Sequence, residues 1–206
     1  MTPHPSRLHA ILADLLPATA MRWVDEARAA VAADPSAVFS RLAAAGVRCG
    51  RGPLGPGGGD WTVDEAVRAL LLCALPLKQP KLGETVETAY REGDARERRA
   101  ILRALGFVIA DDRAVPLLRD ALRSNDPGLV AAALGPYAAE HLDQPSWRDG
   151  VLKRVFMGIP LAAVAGLQRR MDPELLRMFR DYATERLAAG RPVPDDLRAV
   201  LDTREA

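Results

Sequence analysis

An all-α chain is what this sequence predicts, and three observations carry the prediction. Capping residues (Ser, Thr, Asp) stand ahead of apolar stretches along the whole length, apolar residues recur at three- and four-residue spacing, and alternating β-branched runs closed by Asn-Gly or Asp-Gly turns are missing. With 206 residues, 49% of them hydrophobic and 27% charged, the chain can bury a proper core without disulfide or metal.

The elements follow in order. A first helix is expected after Pro5, with Ser6 as N-cap, Leu8, Ile11, Leu12 and Leu15 on one face, and Pro17 as its stop. A second runs over residues 18–33. Asp34-Pro35 then reads as N-cap and first helical position, with Val38, Phe39 and Leu42 inward and Gly46 as the C-terminal stop. Residues 49–60 (CGRGPLGPGGGD) hold enough Gly and Pro to be a mobile connector and mark the main organisational break. Thr62-Val63-Asp64-Glu65 is a capping box opening a helix with Val67, Leu70, Leu71 and Cys73 on its apolar face, and another helix follows Pro80 over residues 81–91.

Residues 94–106 (DARERRAILRALG) and 126–135 (DPGLVAAALG) both open on an acidic N-cap and end in Ala-Leu-Gly, with starts 32 residues apart. In the first, Ile101, Leu105 and Val108 face inward, while Arg96, Arg99 and Arg103 form an outer stripe at i, i+3, i+7. Between them, residues 114–123 give a helix with Val115, Leu118 and Leu122 inward. This helix-pair pattern resembles HEAT-like repeats, so the expected architecture is a single domain over residues 1–206, an α-α superhelix of about eleven helices. Its parts are N-terminal helices (1–49), the Gly/Pro loop (50–60), HEAT-like repeats (61–190) and a C-terminal helix (191–206). Ser146 is expected to cap a helix with Trp147, Val151, Val155 and Phe156 on one stripe. Gly158 and Pro160 break it, and the apolar segment that follows, to Leu167, should lie in the centre. Asp172-Pro173 opens a long helix burying Leu175, Phe179, Tyr182 and Leu187, with Gly190 beyond its end.

Several function classes are disfavoured. Lys plus Arg number 28 against 27 for Asp plus Glu, a net charge of +1, which provides no broad field for nucleic acid or anionic lipid. The uncharged run 155–167 is 13 residues, short of the roughly 18 a membrane span needs. No secretory segment is legible, so a cytoplasmic setting with Cys49 and Cys73 as free, packing thiols is expected. His4, His9, His141 and the two cysteines show no metal-ligand spacing, and the glycine-rich loop lacks a Gly-Lys-Ser/Thr ending; no metal or cofactor is expected.

Polar side chains of varied chemistry gather between Asn125 and Lys153. Asn125 and Asp126 stand at a helix start, Tyr137 and His141 one turn apart, and Asp143, Gln144, Trp147 and Lys153 follow. Two readings are open. In one, Asp126 is an N-cap, Trp147 a core anchor with its indole N–H bonded locally, and Lys153 a solvated arm. In the other, Tyr137, His141 and Lys153 line a groove for a polar ligand or partner.

The stretches 122–160 (LRSNDPGLVAAALGPYAAEHLDQPSWRDGVLKRVFMGIP) and 172–194 (DPELLRMFRDYATERLAAGRPVP) together resemble the EboA family, and the resemblance extends back through GDARERRAILRALG at residues 93–106. It implies a bacterial helical-repeat protein encoded beside a prenyltransferase-like membrane protein, a hydrolase-like protein and sugar- or cyclitol-directed enzymes, in clusters that make or export a secondary metabolite. It brings no catalytic residue. Two functions are therefore expected: a scaffold binding proteins of the same cluster or a small polar metabolite, or else an enzyme on a cyclitol- or sugar-like substrate with His141 as acid/base and Lys153 holding an anionic group.

Overall fold

The computed structural model describes residues 3–203, and among these it contains thirteen α-helices, two short 3-10 turns and no strand. The chain divides into two compact units, residues 1–117 and 118–206.

In the first unit α1 (Pro5–Leu15), α2 (Ala18–Ala33) and α3 (Ala37–Cys49) precede α4 (Val63–Cys73), α5 (Lys81–Glu92) and α6 (Ala95–Val108). Helix α1 begins two residues earlier than the Ser6 cap implies. Pro5 fits the first helical position because its missing N–H is no loss there, and His4 becomes the N-cap, accepting from the Ser6 amide at 3.4 Å. Asp34 does not cap α3 directly. Its carboxylate accepts from the Ser36 amide (2.9 Å) and hydroxyl (2.8 Å), closing a turn from which the helix starts at Ala37. Gly46 lies buried inside α3, which continues to Cys49 and stops at Gly50, whose φ of 90° suits glycine.

Helix α4 is the hub of this unit. Ten of its eleven residues are buried, and it lies against α1, α2, α3 and α6. Cys73 is the exception: it sits exposed at the helix end, so it is no packing residue. The Gly/Pro segment ahead of α4 is tied down rather than free. Leu54 and Trp61 are buried, Leu54 N–H donates to Trp61 O (2.8 Å), Val63 N–H donates to Gly52 O (2.9 Å), and Pro53 pairs with Thr62 as an isolated bridge. A Cβ at Gly58 would stand 2.7 Å from that of Leu54, so the leucine packs into space that only glycine leaves.

The two Ala-Leu-Gly ends differ. Helix α6 runs through Gly106 to Val108. Gly135, by contrast, is followed by Pro136, whose ring ends one helix and opens the next. After a 3-10 turn (Asp112–Ala114), α7 (Val115–Arg123) leads into the second unit, which holds α8 (Pro127–Ala132), α9 (Pro136–His141), α10 (Gln144–Phe156), a 3-10 turn (Leu161–Ala163), α11 (Leu167–Arg170), α12 (Pro173–Ala188) and α13 (Asp195–Asp202). Helix α10 lies against α8 and α12, and α13 against α12. Trp147, Val151, Val155, Leu175 and Phe179 form the centre of this packing.

Asp143, not Ser146, caps α10: its carboxylate accepts from the Ser146 amide at 2.9 Å. The apolar segment 161–167 is central only in part. Positive φ at Gly158 and Gly166, with Pro160 between, folds the chain into turns that bury Leu161, Val164 and Leu167 but leave Ala162 and Ala163 exposed, and Phe156 ahead of them is 57% exposed. Leu187, expected inside, is 66% exposed on the last turn of α12. Among the described residues no helix is long and apolar enough to cross a membrane.

Candidate functional site

The second unit carries the polar stretch singled out in the sequence, and most of its side chains hold helices in place. Asn125 is exposed ahead of α8. Asp126 caps that helix, accepting from the Gly128 (2.7 Å) and Leu129 (3.0 Å) amides. Tyr137 is buried, its ring centroid 4.5 Å from that of half-buried His141 at the end of α9. Asp143 caps α10 and pairs with Arg119 at 2.7 Å. The arginine, helped by the Ser146 amide, holds the carboxyl down to about 2.

Gln144 bridges two segments. Its amide nitrogen donates to Arg170 O (2.8 Å) and Asp172 Oδ2 (2.9 Å), and its carbonyl accepts from Arg170 Nε (3.1 Å) and Nη2 (2.9 Å). Trp147 is fully buried beneath Arg170, whose guanidinium lies 4.8 Å from its ring centroid. Its indole N–H finds no acceptor among the described residues, contrary to the expected local bond. Lys153 is no solvated arm: its ammonium donates to Leu122 O at 2.8 Å.

What the fold brings together here is a clamp at the start of α10, and two of its members, Arg170 and Asp172, were absent from the candidate set. Arg170 donates to Ala138 O (2.8 Å) and Leu142 O (2.7 Å). Asp172 caps α12 through the Leu175 amide (3.0 Å) while pairing with Arg148 at 2.6 Å, which lowers its carboxyl to about 2. Lys153 stands ten residues beyond the Asp143 cap, about 15 Å along the helix axis. It is thus placed far from the Asp143 end, which His141 closely precedes in the chain.

The first unit contains a buried charge network into which Arg99 and Arg103 of the expected outer stripe are drawn. Asp64, Glu65 and Arg68 are all buried on α4. The capping box forms as read, with Thr62 N–H donating to Glu65 Oε2 at 2.9 Å. Arg68 Nη1 pairs with Asp64 Oδ2 at 2.5 Å, and its Nε donates to Leu42 O at 3.0 Å. From α6, Arg99 Nε reaches Glu65 Oε1, and Arg103 binds Asp60 while lying 4.5 Å over the Trp61 ring. Arg99 and Arg103 therefore point at α4 and the loop, not at water. Every charge in this network is matched by an opposite one or a carbonyl, so its chemistry is that of a fastening.

The Cys49 thiol is half-buried, and burial pushes it up to about 11, which leaves little thiolate at neutral pH for nucleophilic work. Among the described residues no group of three or more His, Cys, Asp or Glu side chains is arranged to hold a metal ion.

A family model described as metabolite traffic protein EboA matches residues 54–202. No curated protein and no solved structure matches the chain.

Proposed function

Since the chain belongs to the EboA family, we propose that it serves metabolite traffic as a binding or scaffold component of a bacterial secondary-metabolite biosynthesis or export pathway. In this reading it performs no chemistry itself, its helix pairs are degenerate HEAT-like repeats, and it works beside proteins of its gene cluster in the cytoplasm. The observation that carries the reading is the employment of Lys153. An anion-binding lysine in an enzyme needs its ammonium directed at a substrate, whereas this one is bonded to Leu122 O at 2.8 Å. Asp126, Asp143 and Gln144 are likewise engaged in caps and clamps.

The test is affinity purification of the full chain from its own host, with mass spectrometry of co-purifying proteins and small molecules, for wild type and a His141→Ala, Lys153→Ala double variant. Stoichiometric recovery of a partner protein or a metabolite is expected. Recovery of neither, or chemical conversion of a supplied sugar-like metabolite by wild type and not by the variant, would overturn the reading.

A further inference from the structure

The first unit has an open cleft of about 200 Å³ between the first half of α5 and the segment leading into α7. That volume lies below the roughly 300 Å³ at which sites for drug-sized ligands begin, so an occupant must be small. One wall is apolar, with Ile109, Pro116 and Leu117. The opposite wall is a helix face carrying Glu84 and Glu87 three residues apart, on the same side of α5.

Arg113 also lines the cleft, yet its charge is answered. Its Nε donates to Asp111 Oδ1 at 2.7 Å and its Nη2 to Asp111 Oδ2 at 2.7 Å, a fork that fixes the guanidinium. Room for the arginine comes from Gly83. A Cβ there would stand 2.7 Å from Arg113 Cδ, and glycine within a helix is less favourable than alanine, so the sequence gives up helix stability at the position where this wall is shaped. Glu87 pairs with Arg91 at 2.5 Å, on an arginine 72% exposed and strongly screened. Glu84, exposed in the first turn of α5, has no ion-pair partner among the described residues. The lining therefore presents carboxylate to one end of an occupant and hydrocarbon to the other.

We propose that this cleft binds a small organic cation, a primary amine on a compact apolar body, with the ammonium at Glu84 and Glu87 and the body against Ile109, Pro116 and Leu117. The proposal rests on the metabolite-binding reading above and names its ligand class. The two glutamates act as acceptors for the ammonium's three N–H donors, and the apolar wall selects against small hydrophilic cations.

The test titrates the full chain with phenethylamine, and separately with phenylacetate and phenethyl alcohol, following the amides of residues 83–87 and 109–117 by NMR. Phenethylamine should bind at these amides with affinity that falls as salt rises, phenylacetate should not, and the alcohol should bind more weakly. A Glu84→Gln, Glu87→Gln variant, whose exposed substitutions leave the circular dichroism unchanged, should weaken amine binding about tenfold or more. Tighter binding of phenylacetate, amine shifts elsewhere on the chain, or equal affinity in the variant would overturn the proposal. Host-derived material separates the two readings. A co-purifying metabolite retained by the glutamine variant sinks the cleft and spares the metabolite role, whereas recovery of neither metabolite nor partner sinks that role while the phenethylamine titration still decides the cleft.

Discussion

Glu65, at the third position of α4, shares its carboxylate between the Thr62 amide of its own helix start and the Arg99 guanidinium of α6, 34 residues away in sequence. One buried side chain thus both begins a helix and docks another onto it. Removing it with Glu65→Ala leaves an arginine facing a buried surface and an uncapped helix. Because Arg99 is 29% exposed and can recover some water, we expect a loss of about 3 kcal/mol, toward the lower end for a broken buried pair. Glu65→Gln, which keeps an acceptor for Thr62, should lose less. Urea unfolding of both variants reads this directly, and a cost below that of a surface substitution for Glu65→Ala would contradict it.

Asp64 and Arg68 form a second, deeper pair, 0% and 2% exposed. Substituting either alone should cost about 3–5 kcal/mol, since the survivor is a buried charge. A double replacement, Asp64→Leu with Arg68→Met, should cost clearly less than the sum of the singles, with a coupling on the order of 1–3 kcal/mol. Strict additivity would mean that the two charges do not depend on one another.

Truncation gives a third expectation. A chain of residues 61–206 lacks α1, α2, α3 and the loop, all of which cover α4. The apolar face exposed on α4 should deprive the rest of the first unit, residues 61–117, of cooperative melting, read at its amides by NMR during heating. A sharp transition at those amides would show that the N-terminal third is dispensable to them.

Acid should act on the second unit through Asp143 and Asp172. Both carboxyls sit at about 2 in the folded chain against 3.8 ordinarily, held down chiefly by Arg119 and Arg148 respectively. As pH falls the unfolded chain takes up these protons first. The stabilisation is therefore whole above about pH 4, declines through the interval below it, and is gone under about pH 2. Melting temperatures across this range should fall more steeply for wild type than for an Asp143→Asn, Asp172→Asn variant, which starts lower and stays flatter. Parallel slopes would refute the assignment.

The sequence disclosed what is decided within three or four residues. The caps at Thr62, Asp94, Asp126 and Asp172 were readable because a side chain answering an amide two or three positions on is a local event. Asp143 was overlooked for Ser146 because both residue types cap equally well, and only the Ser146 amide bond tells them apart. The candidate site fared differently. Composition gathers Gln144 and Lys153 into one polar stretch, yet what each does depends on Arg170 and Leu122, residues 26 and 31 positions away. For the same reason an arginine stripe on α6 reads as a wet face until Glu65 is found opposite it. The 155–167 run shows the converse: hydrophobicity states what a segment would gain from burial, but left-handed glycines at both turns decide which of its residues obtain it.

Four glycines of the segment before α4, at positions 50, 55, 57 and 59, hold left-handed φ between 62° and 90°. A chain so rich in glycine surrenders more freedom on becoming ordered than any other of its length, and it recovers that freedom the moment its closing bonds part. Those bonds are few, chiefly Leu54 N–H to Trp61 O and Val63 N–H to Gly52 O. Detachment of this segment must also release buried Leu54 and Trp61 and the Arg103 pair to Asp60, yet the chain freedom it returns should keep it a smaller excursion than unfolding of the whole unit. In hydrogen–deuterium exchange the Leu54 and Val63 amides should turn over through brief local openings, long before the amides of Leu70 and Leu71, which can exchange only when the whole unit comes apart.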